Sequence, residues 1–218
     1  MRKILCLTII AGLVLCRFSF AVEFIQNGVK KEYYPNGKVK AEIIYKDGKP
    51  NGPATTYYEN GKKDSEIAYQ EGIPVGRGIF YFEDGNLKEE IAYFDGLNDM
   101  KIRNYYLNKN LYLASRKKNG KWVETTQEYA PNGQLLKEIR FDENGGIKEE
   151  KVYGSDGNSF KDGILVQYHP NGKASMETPY RDGQTNGMGK QYNEEGRAVA
   201  EIFYKDGKEI SRKEYDKK

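Results

Sequence analysis

The sequence predicts an all-β protein, an elongated antiparallel meander of about eight stacked β-hairpin repeats of 24 residues. Three observations predict it. A turn glycine at Gly37, Gly61 and Gly85 is followed eleven residues later by a second, at Gly48, Gly72 and Gly96; the frame persists through a degraded fourth copy to Gly133, is shifted by an insertion, and resumes at Gly172 and Gly196. An aromatic ring stands four residues before the first glycine (Tyr33, Tyr57, Tyr81, Tyr129, Tyr168, Tyr192) and another eight after it (Tyr45, Tyr69, Tyr93, Phe141, Tyr180, Tyr204). Between these landmarks apolar and charged residues alternate with the period of two of a half-buried strand.

The first 21 residues differ from the rest. Arg2-Lys3 precedes an apolar run from Ile4 to Cys16, and Ser19-Phe20-Ala21 offers small residues at both cleavage-determining positions, the pattern of a secretory signal peptide over 1–21. The run is too short for a membrane span and Arg17 interrupts it, so no transmembrane span is expected in the mature chain, 22–218. Bulky Leu15 before Cys16 disfavours lipidation. The expected location is the periplasm, the cell surface or the medium, after cleavage near Ala21.

Loss of the leader removes Arg2, Lys3 and Arg17 from the 35 basic residues, leaving 32 against 32 acidic ones. A neutral chain is a poor fit to nucleic acid, which demands an excess of Lys and Arg. Both cysteines, Cys6 and Cys16, leave with the leader, so the mature chain has no disulfide, thiol nucleophile or thiolate ligand.

Within one unit, Lys38-Val39-Lys40-Ala41-Glu42-Ile43-Ile44-Tyr45 alternates between an apolar set (Val39, Ala41, Ile43, Tyr45) and a largely charged one. The preceding run, Lys31 to Tyr34, is its partner strand, with Pro35-Asn36-Gly37 between them. A three-residue loop, with Pro35 and Asn36 in a type I turn and Gly37 left-handed, pairs Tyr33 with Val39. That register is expected to gather Tyr33, Val39, Ile43 and Tyr45 on the buried face. Asp47-Gly48 and its equivalents link one hairpin to the next. At about 4.8 Å per strand, eight hairpins in one sheet would span roughly 75 Å before twist.

The pattern breaks twice. The unit at 100–122 loses its turn glycine to Lys109, its second aromatic to Lys117 and its glutamate to Ala114, and is followed by the only tryptophan, Trp122. A short extra unit at 141–157 precedes Gly154 to Asp162, the most loop-like stretch, readable as a bend, a ligand loop or a plain surface loop.

Candidate chemistry is sparse. Glutamates recur at Glu42, Glu66, Glu90, Glu138, Glu177 and Glu201. Carboxylates spaced roughly 10 Å apart cannot share one cation, so they read as a solvated ladder paired with Lys and Arg. His169, the only histidine, has no cysteine beside it and makes a poor zinc site. The sequence gives no nucleophile with a base and orienting residue, no catalytic or metal site and no cofactor. The second rings of the aromatic pairs, Tyr34, Tyr58, Phe82 and Tyr106, are expected to face outward and, with Trp122, are the candidate ligand-binding residues. Trp122 alternatively packs against the irregular hairpin.

Tyr33-Tyr34-Pro35-Asn36-Gly37-Lys38, followed by Tyr45-Lys46-Asp47-Gly48-Lys49 and Gly52, resembles the bacterial variant of the MORN repeat (membrane occupation and recognition nexus). The resemblance recurs across nearly all of Gly28 to Gly207 and implies β-hairpins in elongated sheets. MORN repeats accompany junction proteins and some phosphatidylinositol phosphate kinases, and bacterial members are often labelled antitoxins. No kinase activity is expected here: Gly76-Arg77-Gly78 and Gly187-Met188-Gly189 do not complete a phosphate-binding loop and read as hairpin junctions. The expected function is an exported, non-enzymatic scaffold binding a protein or cell-surface ligand along its tyrosine-rich sheet. Association with phospholipid head groups, suggested by Lys30, Lys31, Lys38 and Lys40, is the alternative, and an antitoxin-like inhibitor the third reading.

Overall fold

The computed structural model describes residues 26–215, so the expected leader and both cysteines lie outside the described residues. Alternating sequence becomes antiparallel strands joined by tight turns throughout. The first sheet contains β1 (Gly28–Tyr33), β2 (Val39–Lys46), β3 (Lys49–Tyr57), β4 (Lys63–Gln70), β5 (Ile73–Tyr81) and β6 (Leu87–Asp95). It continues through β7 (Asp99–Tyr105), β8 (Leu111–Lys118), β9 (Lys121–Tyr129), β10 (Leu135–Phe141) and β11 (Ile147–Val152). All eleven strands are hydrogen-bonded in sequence order.

The second sheet holds β12 (Gly163–Tyr168), β13 (Ala174–Arg181), the two-residue β14 (Gln184–Thr185), β15 (Gly187–Tyr192), β16 (Ala198–Lys205) and β17 (Lys208–Glu214). Its order is β12-β13-β15-β16-β17, with β14 on β13. The expected meander is therefore interrupted once, between β11 and β12, where the period fails in the sequence. An eleven-stranded sheet spans about 48 Å across its strands, short of the length expected for one unbroken ribbon.

The loop-like stretch after β11 has the same turn as the repeats. Gly154 N–H donates to Asn158 C=O at 2.8 Å and Gly157 N–H to Gly154 C=O at 3.0 Å. Tyr153 bridges Ser159. It is a truncated hairpin that redirects the chain so that the second sheet packs on the first. Ala130, Leu136, Val152 and Leu165 form the shared core, with Phe160, Tyr168 and Tyr180 against it. Leu107 N–H donates to Pro170 C=O at 2.9 Å, and Gln167 Nε2 donates to the Glu128 carboxylate at 3.1 Å.

The three-residue turn is present as expected. Tyr33 pairs with Val39, Gly37 N–H donates to Tyr34 C=O at 2.9 Å, and Tyr34 N–H donates to Lys38 C=O at 2.8 Å. Gly37 adopts φ 80°, where an L side chain is disfavoured. The face of the first tyrosine differs from expectation, however. The register slips by one residue between Glu32 and Tyr33, so Val39 and Lys40 together oppose one position on β1. Tyr33 consequently turns to the carboxylate face and is 57% exposed. In later units the same ring is tethered to the preceding repeat's glutamate: Tyr81 Oη donates to Glu66 at 2.7 Å, Tyr105 to Glu90 at 3.0 Å and Tyr192 to Glu177 at 2.9 Å.

Ala41, Ala54, Ser65, Gly78, Ser115, Thr126, Thr178, Ala200 and Ile202 line the inner face, while the ladder glutamates lie on the outer one. Small residues there make room for the second aromatic ring of each unit. Tyr69 lies opposite Gly52, Tyr93 opposite Gly76 and Tyr204 opposite Gly187. A Cβ on Gly78 would come within 2.9 Å of Tyr93 Cε2, and one on Gly189 within 3.0 Å of Tyr204 Cε2. Gly76-Arg77-Gly78 and Gly187-Met188-Gly189 thus lie inside β5 and β15, as beds for aromatic rings, and are not hairpin junctions.

Candidate functional site

The tyrosines expected to face outward are largely engaged in joining repeats. Tyr34 Oη donates to Tyr57 C=O at 2.6 Å, Tyr58 Oη to Tyr81 C=O at 2.7 Å and Tyr106 Oη to Tyr129 C=O at 2.7 Å. Each clips one turn to the next. His169 does the same with Tyr192 C=O at 2.9 Å; because a carbonyl only accepts, Nε2 carries the proton. Tyr34, Tyr58 and Phe82 are half-buried between turns. Tyr106 corrects the expectation outright: it is 1% exposed, its ring packs tilted against Tyr112 with centroids 5.1 Å apart, and burial pushes its phenol well above the usual value. It faces the core because the second sheet folds over it, an event that no pattern local to the repeat announces.

Trp122 is 39% exposed on β9. It lies opposite Lys117, whose ammonium sits 5.5 Å from the ring centroid. Lys117 occupies the place of the lost second aromatic, and Trp122 on the neighbouring strand restores a ring to that row.

The most distinctive surface lies on the outer face of β7 and β8, the irregular fourth hairpin. Ahead of it the outer row runs Lys31, Glu42, Thr55, Glu66, Ile79 and Glu90, and its glutamates pair locally. Lys31 contacts Glu42 at 2.6 Å and Lys63 contacts Glu66 at 2.7 Å, and Arg77 pairs with Glu90. Lys63, ahead of the Tyr81 hydroxyl, holds the Glu66 carboxyl below its ordinary range. In the fourth hairpin Arg103 lies between Glu90 on β6 and Ala114 on β8. The carboxylate expected at 114 is missing. One row further along the strands, Arg77, Ala92, Lys101 and Arg116 lie side by side across β5 to β8.

Arg116 is held in place from three sides. Its Nε and Nη2 each reach Asp99 at 3.0 Å, Nη1 pairs with Glu124, and the guanidinium lies 5.6 Å from the Phe94 ring centroid. Hydrogen bonding from Arg116 holds the Asp99 carboxyl below its usual range. Lys101 and Arg103 are exposed and have no ion-pair partner among the described residues. Phe94, 61% exposed, adds an apolar wall. Two open depressions of about 190 and 440 Å³ flank this cluster and share Lys101 and Arg103; the first is also lined by Ala114, Arg116, Thr125 and the Arg116-paired Glu124, the second by Ala92, Phe94 and the paired Arg77 and Glu90.

Two residues here occupy left-handed backbone that is glycine in sister repeats. Lys109, at φ 71°, stands where Gly61 has 87°, and Glu124, at φ 60°, stands where Gly76 has 69°. Side chains in that region strain the backbone. Glu124 uses its position to reach Arg116. The arrangement places two free cations, a fixed guanidinium and an aromatic ring around small residues, which suits recognition of carboxylates on an extended segment. Arg77, Lys101, Arg103 and Phe94 did not stand out in the sequence, although the loss of the glutamate at Ala114 marked the strand opposite them.

The MORN repeat variant profile matches residues 26–47, 50–71, 74–95 and 161–182. The first three segments end on β6 and the fourth begins ahead of β12, so the cationic hairpin lies between the matched repeats. No curated protein matches the chain.

Proposed function

We propose that this chain, four segments of which match the MORN repeat variant, is a non-enzymatic repeat scaffold that acts after export by binding an acidic segment of a partner protein on the outer face of its fourth hairpin. The observation that carries the reading is the break in the carboxylate ladder at Ala114, which leaves Lys101 and Arg103 free beside Arg116 and Phe94. In the first three hairpins Lys31, Lys63 and Arg77 pair with ladder glutamates within the chain, and an acidic partner would gain little there.

The test is affinity capture with crosslinking from intact cells. Wild type recovers a reproducible protein partner, the Lys101→Glu/Arg103→Glu variant loses it, and Tyr34→Phe/Tyr58→Phe keeps it. Loss in the tyrosine variant with retention in the charge-reversed one moves binding to the turn edge and refutes the cationic reading. Flotation of the leaderless chain with anionic vesicles checks the lipid alternative; co-flotation abolished by the same charge reversal would favour membrane over protein. Fractionation checks export: a mature chain starting near Val22 is expected outside the cytoplasm.

A further inference from the structure

The outer face of the second sheet differs from that of the first. Leu165 and Ile202 are buried on the inner face, so alternation places Ile164, Val166, Glu201 and Phe203 on the outer one. Ladder pairing sets Ile164 opposite Pro179 and Met188 opposite Phe203, with Ser211 beyond on β17. Glu177 opposite Lys190 joins the two halves, so Pro179 and Met188, each two residues from that pair, share the face. The result is one apolar row, Ile164, Pro179, Met188 and Phe203, across β12 to β16. In the first sheet the equivalent row carries Arg77, Ala92, Lys101 and Arg116. Ile164 is 59%, Met188 56% and Phe203 37% exposed. A contiguous exposed apolar row with a charged rim marks an interaction surface.

The rim decides what fits. One step along the strands the outer row reads Glu177, Lys190, Glu201 and Lys213 across β13 to β17. The signs alternate and cancel, so an acidic peptide or an anionic membrane meets as much repulsion as attraction there. A second copy matches the row. Laid face to face about a two-fold axis that runs along the strands between β15 and β16, it sets Met188 against Phe203, Pro179 against Ser211, Lys190 against Glu201 and Glu177 against Lys213, each contact made twice. An axis along β15 or along β16 would oppose like charges, and one between β13 and β15 would leave Glu201 against Val166. The strands β13, β15, β16 and β17 cover about 19 Å by about 20 Å, roughly 400 Å² per copy. That lies at the low end for a specific interface and suits a weak, reversible dimer.

We infer that the outer face of the second sheet is a homodimer interface: two copies pack sheet on sheet, with Met188 of each against Phe203 of the other, a thioether on an aromatic ring, and Glu177 against Lys213 at the rim. This is independent of the cationic hairpin, which lies on the first sheet.

Sedimentation velocity of the leaderless chain from ~1 µM to ~1 mM tests it, a range that covers weak association. Wild type forms a dimer. Met188→Glu abolishes it, and Ile147→Glu, at an equally exposed position on β11, leaves it intact. Glu177→Lys and Lys213→Glu each weaken it about tenfold, because each turns two attractive contacts per dimer into repulsive ones. The double variant Glu177→Lys/Lys213→Glu restores it. Within one chain these two residues stand three strands apart, so only contact between copies couples them. A wild type that stays monomeric over the whole range overturns the inference, as does a double variant no stronger than the singles. So does a monomer that floats with neutral vesicles and loses this with Met188→Glu, which gives the row to lipid.

Discussion

Exchanging the turn residues of the second and fourth hairpins isolates the strain carried by the fourth hairpin. The turn at Tyr106 to Asn110 closes with the hydrogen bonds of its neighbours, Tyr106 N–H to Asn110 C=O at 2.9 Å and Lys109 N–H to Tyr106 C=O at 2.8 Å. Lys109 holds φ 71° there, whereas Gly61 holds 87° with open space around the position of a Cβ. Left-handed backbone costs a side-chain residue about 1–2 kcal/mol, and glycine gives back about 0.5–1 kcal/mol through the extra freedom of its unfolded chain. Lys109→Gly should therefore stabilise the fourth hairpin by about 0.5–1 kcal/mol, and Gly61→Lys should destabilise the second by the same amount. Urea unfolding followed by the fluorescence of Trp122, on the strand beside β8, reads the first variant, and hydrogen exchange of β3 and β4 reads the second. A Lys109→Gly variant less stable than wild type would refute the reasoning, as would a neutral Gly61→Lys.

Three further outcomes follow from the inner face and the turns. Ser115 is 7% exposed and its Oγ has no hydrogen-bond partner, so Ser115→Ala should stabilise by about 1 kcal/mol; a loss in chemical denaturation would show that the hydroxyl is satisfied. Gly78→Ala, with its new Cβ 2.9 Å from Tyr93, should cost about 1–3 kcal/mol, and shortening Tyr93 to Leu in the same chain should recover part of that; no recovery would mean the ring is not the obstacle. Burial, and then the nearby Asp64 carboxylate, push the Tyr58 phenol from 10.0 up to about 12. A raised pKa means the folded state keeps its proton longer, so this contribution is full below about pH 10 and fades as pH rises through 12. Tyrosinate absorbance should rise together with loss of β-sheet circular dichroism in that window, and titration with the sheet intact would contradict it.

The period alone gave the hairpins, the three-residue turn and the pairing of Tyr33 with Val39, because turn chemistry and alternation act within a few residues. What it could not give is the consequence of a one-residue slip. The register was right and the face was wrong, since the bulge at Val39 and Lys40 turns Tyr33 toward the carboxylates. The fate of Tyr34, Tyr58 and Tyr106 depends on a carbonyl 23 residues away in the next unit, and that of Tyr106 also on a second sheet arriving from beyond residue 160. The place where the site lies was legible as a departure from the repeat at Lys109, Ala114 and Lys117. Its make-up was not, because Arg77, Phe94, Lys101 and Arg103 come together across three strands and share no linear motif.

The central claim is that the fourth hairpin's outer face, and not the repeat face in general, contacts the partner. A photo-crosslinking amino acid placed at Ala114 and, separately, at Glu42, which occupies the same row of the first hairpin, compares the two directly in living cells. Adducts with one discrete protein at position 114, absent at 42 and lost when Lys101 and Arg103 are reversed to glutamate, are the expected result. Equal adducts at both positions, or adducts at 42 alone, would contradict the account.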